Sequence, residues 1–314
     1  MDTPTLNKAP QRLSVIKVGG AVVEDSASLA ILLDEFVKVG GSKVLVHGGG
    51  RSATKLAEQL GIESRMVGGR RITDAEMLRV VTMVYGGLVN KNIVAQLQAR
   101  GVNALGLTGA DLNLIRAHRR PITPEGVDFG FVGDVDSADG LRLLQLLESD
   151  VTPVVAPLTH DGQGNLLNTN ADTMAQTVAT ALAQTLSQVS ESSSLGSVAG
   201  GMSASALPAA CRLPLAASPV ATSSFSPAAS VSLTFCFELP GVLRNPSDPS
   251  TLIPQLTETD FRAFVADGTI AGGMIPKLEN AFVALRAGVS QVRITNIHDL
   301  QGGTVITLEA VPSA

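Results

Sequence analysis

A lysine inside a short apolar strand constrains this chain more than any other feature. Residues 14–20 read Ser-Val-Ile-Lys-Val-Gly-Gly, a pattern that predicts a buried strand interrupted by Lys17. An unpaired ammonium group is costly to bury, so we expect an anion beside it. The alternative is an edge strand from which the lysine reaches water. Gly19 and Gly20 favour the first interpretation, because a ligand can approach a glycine backbone closely.

A second strand followed by glycines repeats this arrangement. The apolar residues 43–47 predict a strand, the glycines 48–50 follow at once, and a helix is predicted from about Arg51 to Leu60. Backbone N–H groups and the helix dipole bind anions at such a junction. The glycines also fit a dinucleotide-binding fingerprint, but the acidic residue that would support NAD binding is missing, because the next region, 66–73, reads as a hairpin.

Three further positions carry a charge that a binding site could use. Arg71 ends the predicted hairpin, where tandem arginines are usually solvated but where a guanidinium can also bind a substrate carboxylate. Asp172 follows Asn170 at the start of a predicted helix, as a first-turn acid favoured by the dipole or as a site residue. Lys277 follows Pro276, which is predicted to open another helix, so its ammonium opposes the dipole and an anion beside it would relieve the conflict.

The order of the predicted elements indicates a doubly wound α/β fold. Strands are predicted at 14–18, 43–47, 104–108, 151–158, 233–238, 291–295 and 304–308, and helices at 26–39, 51–60, 74–100, 138–148, 171–184, 258–266 and from Pro276 onward. Residues 187–230 break the pattern, because they are rich in Ser, Ala, Gly and Pro. Their composition predicts an irregular or disordered insertion, although a loop of this length is uncommon inside a compact domain.

Composition excludes several classes of function. The net charge is −5 and no block of Lys or Arg occurs, which does not suit binding to nucleic acid or to an anionic membrane surface. With no Trp and 3% aromatic residues, few side chains could stack on bases. Two cysteines are too few for a disulfide framework, and residues 1–12 contain no apolar signal core, so we expect a cytoplasmic protein without a membrane span.

Six short motifs follow one another along the chain. They are Lys17-Val18-Gly19-Gly20, His47-Gly48-Gly49-Gly50, Arg71-Ile72-Thr73, Asn168-x-Asn170-Ala171-Asp172, Pro240-Gly241-Val242 and Gly273-Met274-Ile275-Pro276-Lys277. Together they resemble the amino-acid kinase family, and within it the members that phosphorylate an N-acylated glutamate. The resemblance covers 14–185 and 231–297, and it implies a three-layer αβα sandwich with a central, mainly parallel sheet.

The resemblance also implies a reaction, the transfer of a phosphoryl group from ATP with Mg²⁺ to the side-chain carboxylate of N-acetyl-L-glutamate in arginine biosynthesis. A carboxylate approaching the γ-phosphate meets a repulsion of about 4 kcal/mol per unit charge pair at ~4 Å and an effective dielectric constant of about 20. Cations must therefore flank the transferred group. By the resemblance, Lys17 and Lys277 would supply them, and Asp172 would hold both lysines in place.

The remaining site residues are also implied by the resemblance. The acyl-glutamate would be bound by Gly49, Gly50, Arg71 and Asn168. The ATP site would be lined by Gly19, Gly20, Glu238, Gly241, Gly273 and Met274. No residue of the chain is implied as a metal ligand.

The family pattern divides the chain into a tail, 1–13, and two lobes. Lobe 14–170 would bind the acyl-glutamate and form a dimer, and lobe 171–314 would bind ATP and contain the insertion at about 187–230. The short N-terminal extension favours a homodimer without arginine feedback. Four alternatives stay open: an N-succinylglutamate kinase, a carbamate or aspartate kinase of the same fold, a ligand-binding member that lost catalysis, and an NAD-dependent oxidoreductase.

Overall fold

Strands and helices alternate along residues 11–195, 225 and 229–308, the part of the chain that the computed structural model describes. The strands are β1 (Arg12–Val18), β2 (Ser42–His47), β3 (Met66–Val67), β4 (Arg70–Arg71), β5 (Ala104–Leu107), β6 (Ile115–Arg119), β7 (Gly133–Ala138), β8 (Thr152–Val155), β9 (Leu158–His160), β10 (Leu166–Asn168), β11 (Ser230–Phe237), β12 (Gln255–Thr257), β13 (Gln291–Asn296) and β14 (Thr304–Thr307). The helices are α1 (Gly20–Glu24), α2 (Ser26–Lys38), α3 (Gly50–Gln59), α4 (Ala75–Val81), α5 (Asn90–Gln98), α6 (Gly140–Glu148), α7 (Ala171–Leu195), α8 (Glu258–Ala266) and α9 (Met274–Arg286), with a π-helix at Thr82–Val89.

A central sheet of eight strands organises these elements in the order β12-β14-β13-β11-β1-β2-β8-β5. The strands from β13 to β5 run parallel, and β14 pairs antiparallel with β13. Apolar residues of α6, α7 and α9 pack on one face, and those of α2, α4 and α5 pack on the other. The predicted three-layer αβα sandwich with a mainly parallel sheet is therefore confirmed.

Strand β1 lies in the middle of this sheet, between β11 and β2. Leu13 and Val15 face the helices α6, α7 and α9, whereas Ile16 and Val18 face α2 and α4. Because side chains alternate along a strand, Lys17 points to the α7 side. The interpretation of Lys17 as an edge-strand lysine that reaches water is wrong, since β1 has a parallel neighbour on each side.

A π-helix interrupts the helix predicted at 74–100. Asp74 caps α4 by accepting a hydrogen bond from the Met77 N–H, and the chain then passes through the π-helix into α5 without leaving the helical path. A π-helix bonds each residue to the one five positions away, so its side chains point in directions that an α-helix would not give. This change of direction turns Tyr85 toward the glycines that follow β2.

A second sheet, β10-β9-β6-β7, connects distant parts of the chain. Its strands β6 and β7 form an antiparallel pair. Isolated bridges join Thr73 to Gly130 and Val132 to Asn168. The end of the small β3–β4 hairpin and the end of β10 are thereby held beside each other.

Several predicted boundaries are wrong. The strand predicted at 151–158 is two strands, β8 and β9, which belong to different sheets, and the helix predicted from residue 138 begins at Gly140. The insertion is predicted to start at residue 187, but α7 continues to Leu195. Between Leu195 and β11, the structure describes only residues 225 and 229, so the rest of that prediction lies outside the described residues. The helix accommodates the polar serine side chains through bonds to its own carbonyls, as Ser187 Oγ donates to Ala183 O at 3.1 Å. Helix α9 begins at Met274 instead of Pro276, which still lies in the first turn, where a missing N–H costs no helical hydrogen bond.

No helix in the described ranges combines the length and the apolar character needed to cross a membrane.

Candidate active site

Asp172 lies between two lysines that are far apart in the sequence. Its Oδ1 is 2.7 Å from Lys17 Nζ, and its Oδ2 is 3.4 Å from Lys277 Nζ. The side chains of Lys17 and Asp172 are 8% and 10% exposed, and that of Lys277 is 21% exposed. The anion expected beside Lys17 and the anion expected beside Lys277 are therefore the same carboxylate.

The charge state of Asp172 follows from these neighbours. Burial alone would raise the pKa of its carboxyl group, but the charges and hydrogen bonds of Lys17 and Lys277 outweigh burial, so the pKa lies below its usual value. Asp172 is thus ionised at neutral pH. One anion between two cations leaves the cluster with a net positive charge, which suits a ligand with several negative charges.

Three elements bring this cluster together. Lys17 is near the carboxyl end of β1, and Asp172 is in the first turn of α7, whose N-terminus is capped by Asn170: the Asn170 Oδ1 accepts hydrogen bonds from the N–H groups of Asp172 and Thr173 at 2.8 and 3.2 Å. Lys277 is in the first turn of α9 and also donates to the Gly273 carbonyl at 3.4 Å.

A cleft of about 220 Å³ adjoins the cluster. Ala171 and Thr173, on either side of Asp172, lie in its wall. The lining of the cleft also includes Gly20, Gly49, Gly50, Arg70, Arg71, Tyr85, Arg120, Asp134 and Asn168. All four residues predicted to bind the acyl-glutamate therefore line one cleft, next to the lysine pair.

Backbone amides of two glycine segments converge at one end of this cleft. A Cβ placed on Gly20 would lie 3.5 Å from the Gly50 nitrogen and 3.6 Å from the Gly49 nitrogen. Gly20 is the first residue of α1 and Gly50 the first residue of α3, so both carry N–H groups without an intrahelical acceptor. This end of the cleft can therefore accept an anion.

Arg71 joins the β3–β4 hairpin to α3. Its Nη2 donates at 2.8 Å to both the Gly50 carbonyl and Thr54 Oγ1, and its Nη1 donates to Ser64 Oγ and lies 3.9 Å from Met77 Sδ. The residue is buried, so its guanidinium keeps a fixed orientation beside the cleft. The solvated alternative for Arg71 is wrong.

Asn168 is oriented by the second sheet. Its Nδ2 donates to Thr73 Oγ1 at 2.9 Å, and its backbone N–H donates to the Phe131 carbonyl at 2.8 Å. Because Thr73 Oγ1 donates in turn to the Arg71 carbonyl at 3.3 Å, Asn168 and Arg71 are linked through one hydroxyl.

The residues predicted for the ATP side lie around the carboxyl ends of β1 and β11. The Gly19 N–H donates to the Cys236 carbonyl at 3.0 Å, and Glu238 forms an exposed ion pair of 3.6 Å with Arg51. A Cβ on Gly241 would lie 2.7 Å from Thr304 Oγ1, which explains a glycine there. Gly273 caps α9 and Met274 opens it. None of these five residues lines the cleft of about 220 Å³, whereas Gly20 does.

A buried histidine holds the glycine segment after β2. His47 Nδ1 is 2.8 Å from the Gly48 carbonyl, and its Nε2 is 3.1 Å from the Asn90 amide nitrogen, which also donates to the Val154 carbonyl at 2.9 Å. The amide can only donate, so the imidazole proton lies on Nδ1. Burial lowers the pKa of His47 to about 4. Sequence reasoning missed Asn90, because a polar residue inside a helical pattern gives no sign of burial.

The described residues contain no group of three or more His, Cys, Asp or Glu side chains arranged to hold a metal ion. Asp134 and Asp139 have structural partners: Asp134 pairs with Arg120, and Asp139 caps α6 by accepting from the Arg142 N–H.

A parallel sheet with a cationic cluster and glycine segments at the carboxyl ends of its central strands defines a class, the α/β proteins that bind anionic ligands at that edge. The particular family is shown by sequence comparison. The chain belongs to the amino acid kinase family, whose model matches residues 12–189 and 228–296. The unmatched stretch, 190–227, overlaps most of the segment predicted as an insertion.

Individual relatives are similar over nearly their whole length. An acetylglutamate kinase of Bacteroides thetaiotaomicron is 54% identical over 285 residues, which are 91% of this chain and 93% of that protein. One of Bacteroides fragilis is 53% identical over 302 residues, 95% of this chain and 98% of that protein. A crystal structure of a Streptococcus mutans protein has a TM-score of 0.69 and 26% identity, covering 95% of this chain and 99% of that one.

The buried His47 predicts a pH-dependent stability. Its folded pKa of about 4 lies below the ordinary value of 6.5, so the unfolded chain binds the proton first as the pH falls. We expect His47 to reduce the free energy of unfolding between pH 6.5 and 4, by at most about 1.4 kcal/mol per pH unit. Urea denaturation across this range measures the slope. His47→Asn should flatten it, whereas His298→Gln, at an exposed position, should not; an unchanged slope in His47→Asn would contradict this account.

Proposed function

We propose that this protein transfers the γ-phosphoryl group of ATP to the side-chain carboxylate of N-acetyl-L-glutamate, giving N-acetylglutamyl 5-phosphate. The observation that carries the proposal is the Lys17–Asp172–Lys277 cluster beside a cleft that contains Arg71 and Asn168. The names of the Bacteroides relatives support it, because they are acetylglutamate kinases at 53–54% identity. We assign the protein to the cytoplasm and to arginine biosynthesis, the setting that this family resemblance implies.

The two lysines perform the electrostatic part of this reaction. The acceptor carboxylate and the γ-phosphate repel each other, and charge moves onto the bridging oxygens as the phosphoryl group passes between them. Lys17 and Lys277 flank that region from β1 and α9, and Asp172 keeps their ammonium groups in fixed positions. Cations that are already oriented need no reorganisation in the transition state, which is the main source of this type of catalysis.

The substrate is oriented by groups from three parts of the chain. The amides of Gly49 and Gly50, beside that of Gly20, meet the reacting carboxylate. Arg71 provides the charge that attracts the α-carboxylate, and Asn168 contacts the acylated amine. Since Arg71 and Asn168 are linked through Thr73, the two contacts keep a constant separation.

The nucleotide is assigned to the carboxyl ends of β1 and β11, along Gly19, Glu238, Gly241 and the Gly273-Met274 start of α9. ATP, bound with Mg²⁺, supplies the phosphoryl group. The net positive charge of the lysine cluster fits its phosphate chain. Both oxygens of Asp172 are within ion-pair distance of lysines, so we expect Mg²⁺ to enter with the phosphates without a carboxylate ligand from this cluster.

An N-succinyl group is the second candidate for the acyl moiety, because the cleft offers further cations besides Arg71. Arg70 and Arg120 line it in addition to Arg71. Arg120 is paired with Asp134. Partial burial and the positive charge of Arg120 both lower the pKa of Arg70. A carboxylate at the end of a succinyl group would be favourable beside Arg70.

The reaction is tested by ATP-dependent acyl-hydroxamate formation in hydroxylamine, with N-acetylglutamate, N-succinylglutamate, carbamate and aspartate in parallel. We expect a signal with N-acetylglutamate. A stronger signal with N-succinylglutamate, lost in Arg70→Gln while N-acetylglutamate is unaffected, would instead select the second candidate. No signal from folded protein that binds ATP would contradict both and favour a member of the family without catalysis.

Removal of either lysine tests the catalytic assignment. Lys17→Met and Lys277→Met keep most of the side-chain volume but remove a cation from the transferring group, so we expect kcat to fall about a hundredfold or more. Lys38→Met, at an exposed lysine that pairs with Glu35, is the control and should keep normal kcat. A lysine variant with near-normal kcat and wild-type unfolding would refute the role of that lysine.

We further propose a homodimer and two functional lobes, 14–170 for the acyl-glutamate and 171–314 for ATP. The sheet supports this division, because β1, β2, β5 and β8 form one half and β11 to β14 the other.

The proposed dimer contact is an apolar face of the π-helix, formed by Met83 and Leu88. Their side chains are 51% and 67% exposed, and they lie five residues apart, the spacing that aligns side chains on a π-helix.

The π-helix face is tested by light scattering. Leu88→Glu should convert a dimer into a monomer, because it puts a charge into the proposed apolar interface. Ile122→Glu changes an equally exposed apolar residue in the loop between β6 and β7 and should leave the mass unchanged. A dimer in both variants would mean that the contact lies elsewhere, and a monomeric wild type would end the proposal.

A further inference from the structure

Tyr85 is a wall residue of the cleft for which the sequence patterns predicted no role. It lies in the π-helix and is 5% exposed. Its ring packs against the glycine segment so closely that a Cβ on Gly49 would lie 2.9 Å from Tyr85 Cδ1 and 3.1 Å from Cε1. The ring therefore limits the width of the cleft at the point where the amide of Gly49 faces it.

The hydroxyl group of Tyr85 lies on the same side as Arg71. A Cβ on Gly50 would be 4.0 Å from the Tyr85 hydroxyl oxygen and 3.9 Å from Arg71 Nη2. A phenolic hydroxyl is both a donor and an acceptor, so Tyr85 can donate its hydrogen to a ligand in the cleft.

The terminal nitrogens of Arg71 are already engaged. Nη2 donates to Gly50 O and Thr54 Oγ1, and Nη1 faces Ser64 Oγ and Met77 Sδ. These contacts engage both terminal nitrogens, so Arg71 offers a substrate carboxylate its charge but few free donors. Tyr85 is a neutral hydroxyl donor in the wall of the cleft, since burial raises the pKa of its hydroxyl despite the opposing effect of Arg71.

We propose that Tyr85 is a substrate-binding residue whose hydroxyl donates a hydrogen bond to the α-carboxylate of the acyl-glutamate, beside the charge of Arg71. This inference rests on the proposed function, because it takes the acyl-glutamate as the occupant of the cleft. The α-carboxylate does not react, so the hydrogen bond is equally strong in the ground state and the transition state. Its loss therefore changes KM and leaves kcat nearly unaltered.

Tyr85→Phe removes the hydroxyl and keeps the ring on Gly49. A hydrogen bond to a charged group contributes enough that we expect KM for N-acetylglutamate to rise about tenfold to a hundredfold. We expect kcat to change less than about threefold and KM for ATP to stay constant. If the KM of Tyr85→Phe for N-acetylglutamate stays within about twofold of the wild-type KM, the proposal is overturned, even when the variant is fully active.

A matched ligand separates the hydrogen bond from general damage to the cleft. N-acetyl-4-aminobutyrate is N-acetylglutamate without the α-carboxylate. Calorimetric titration should show that Tyr85→Phe weakens binding of N-acetylglutamate and leaves binding of N-acetyl-4-aminobutyrate unchanged. Equal losses for the two ligands would assign Tyr85 to the shape of the cleft and overturn the proposed hydrogen bond.

The composition of the chain offers a direct optical test. Tyr85 is the only tyrosine and there is no tryptophan, so the tyrosine fluorescence of the wild type comes from this cleft. We expect N-acetylglutamate, added without nucleotide, to change it with a saturable dependence on concentration, and N-acetyl-4-aminobutyrate to change it less. Identical responses to both ligands would contradict the proposal.

These experiments distinguish the two proposals. If the wild type makes no hydroxamate, and Tyr85→Phe selectively weakens binding of N-acetylglutamate, the proposed reaction is refuted and the role of Tyr85 is retained. If the wild type is active and KM for N-acetylglutamate is unaltered in Tyr85→Phe, the proposed reaction is retained and the role of Tyr85 is refuted. A wild type that binds no acyl-glutamate would refute both.

Discussion

The ion pairs of Asp172 with Lys17 and Lys277 are the interaction on which the rest of the site depends. One carboxylate joins a central strand to the first turns of two helices, so charge as well as packing sets how β1, α7 and α9 meet. Because two cations share one anion, the cluster keeps a net positive charge that is costly to hold away from water. Phosphate groups would reduce that cost, which makes the same feature a structural joint and a binding determinant.

The parallel sheet provides the common edge at which the other groups gather. The Gly19-Gly20 pair follows β1, the glycines 48–50 follow β2, and Glu238 follows β11, so backbone amides and charges from distant segments meet without long connections. The small hairpin and the second sheet then add side chains. Arg71 is tied to α3 through the Gly50 carbonyl, so the cleft has a fixed wall.

Local patterns predicted most elements that carry the site, because apolar periodicity and glycines mark strands, helices and their junctions. The need of Lys17 for an anion was visible from its apolar neighbours, but its partnership with Asp172 depends on topology and came only from the family resemblance. Tyr85 stood in a stretch that also fits an α-helix, and one π-helix leaves no periodic signal. The predicted start of the insertion was wrong because composition says little about whether a helix continues. Each residue added to an existing helix forms one more hydrogen bond.

The central place of β1 has a consequence for how the protein is made. Its neighbour β11 is supplied much later in synthesis, as the hydrogen bond from Ser232 Oγ to the Leu13 carbonyl joins residues 219 positions apart. Until then β1 is the outer strand of the half-sheet formed with β2, β8 and β5. An outer strand recruits other chains unless a charge blocks it, and lysine is the residue most used for this. Until residues 230–237 are synthesised, β1 therefore has one open edge, and it carries the type of residue that opposes pairing with another chain.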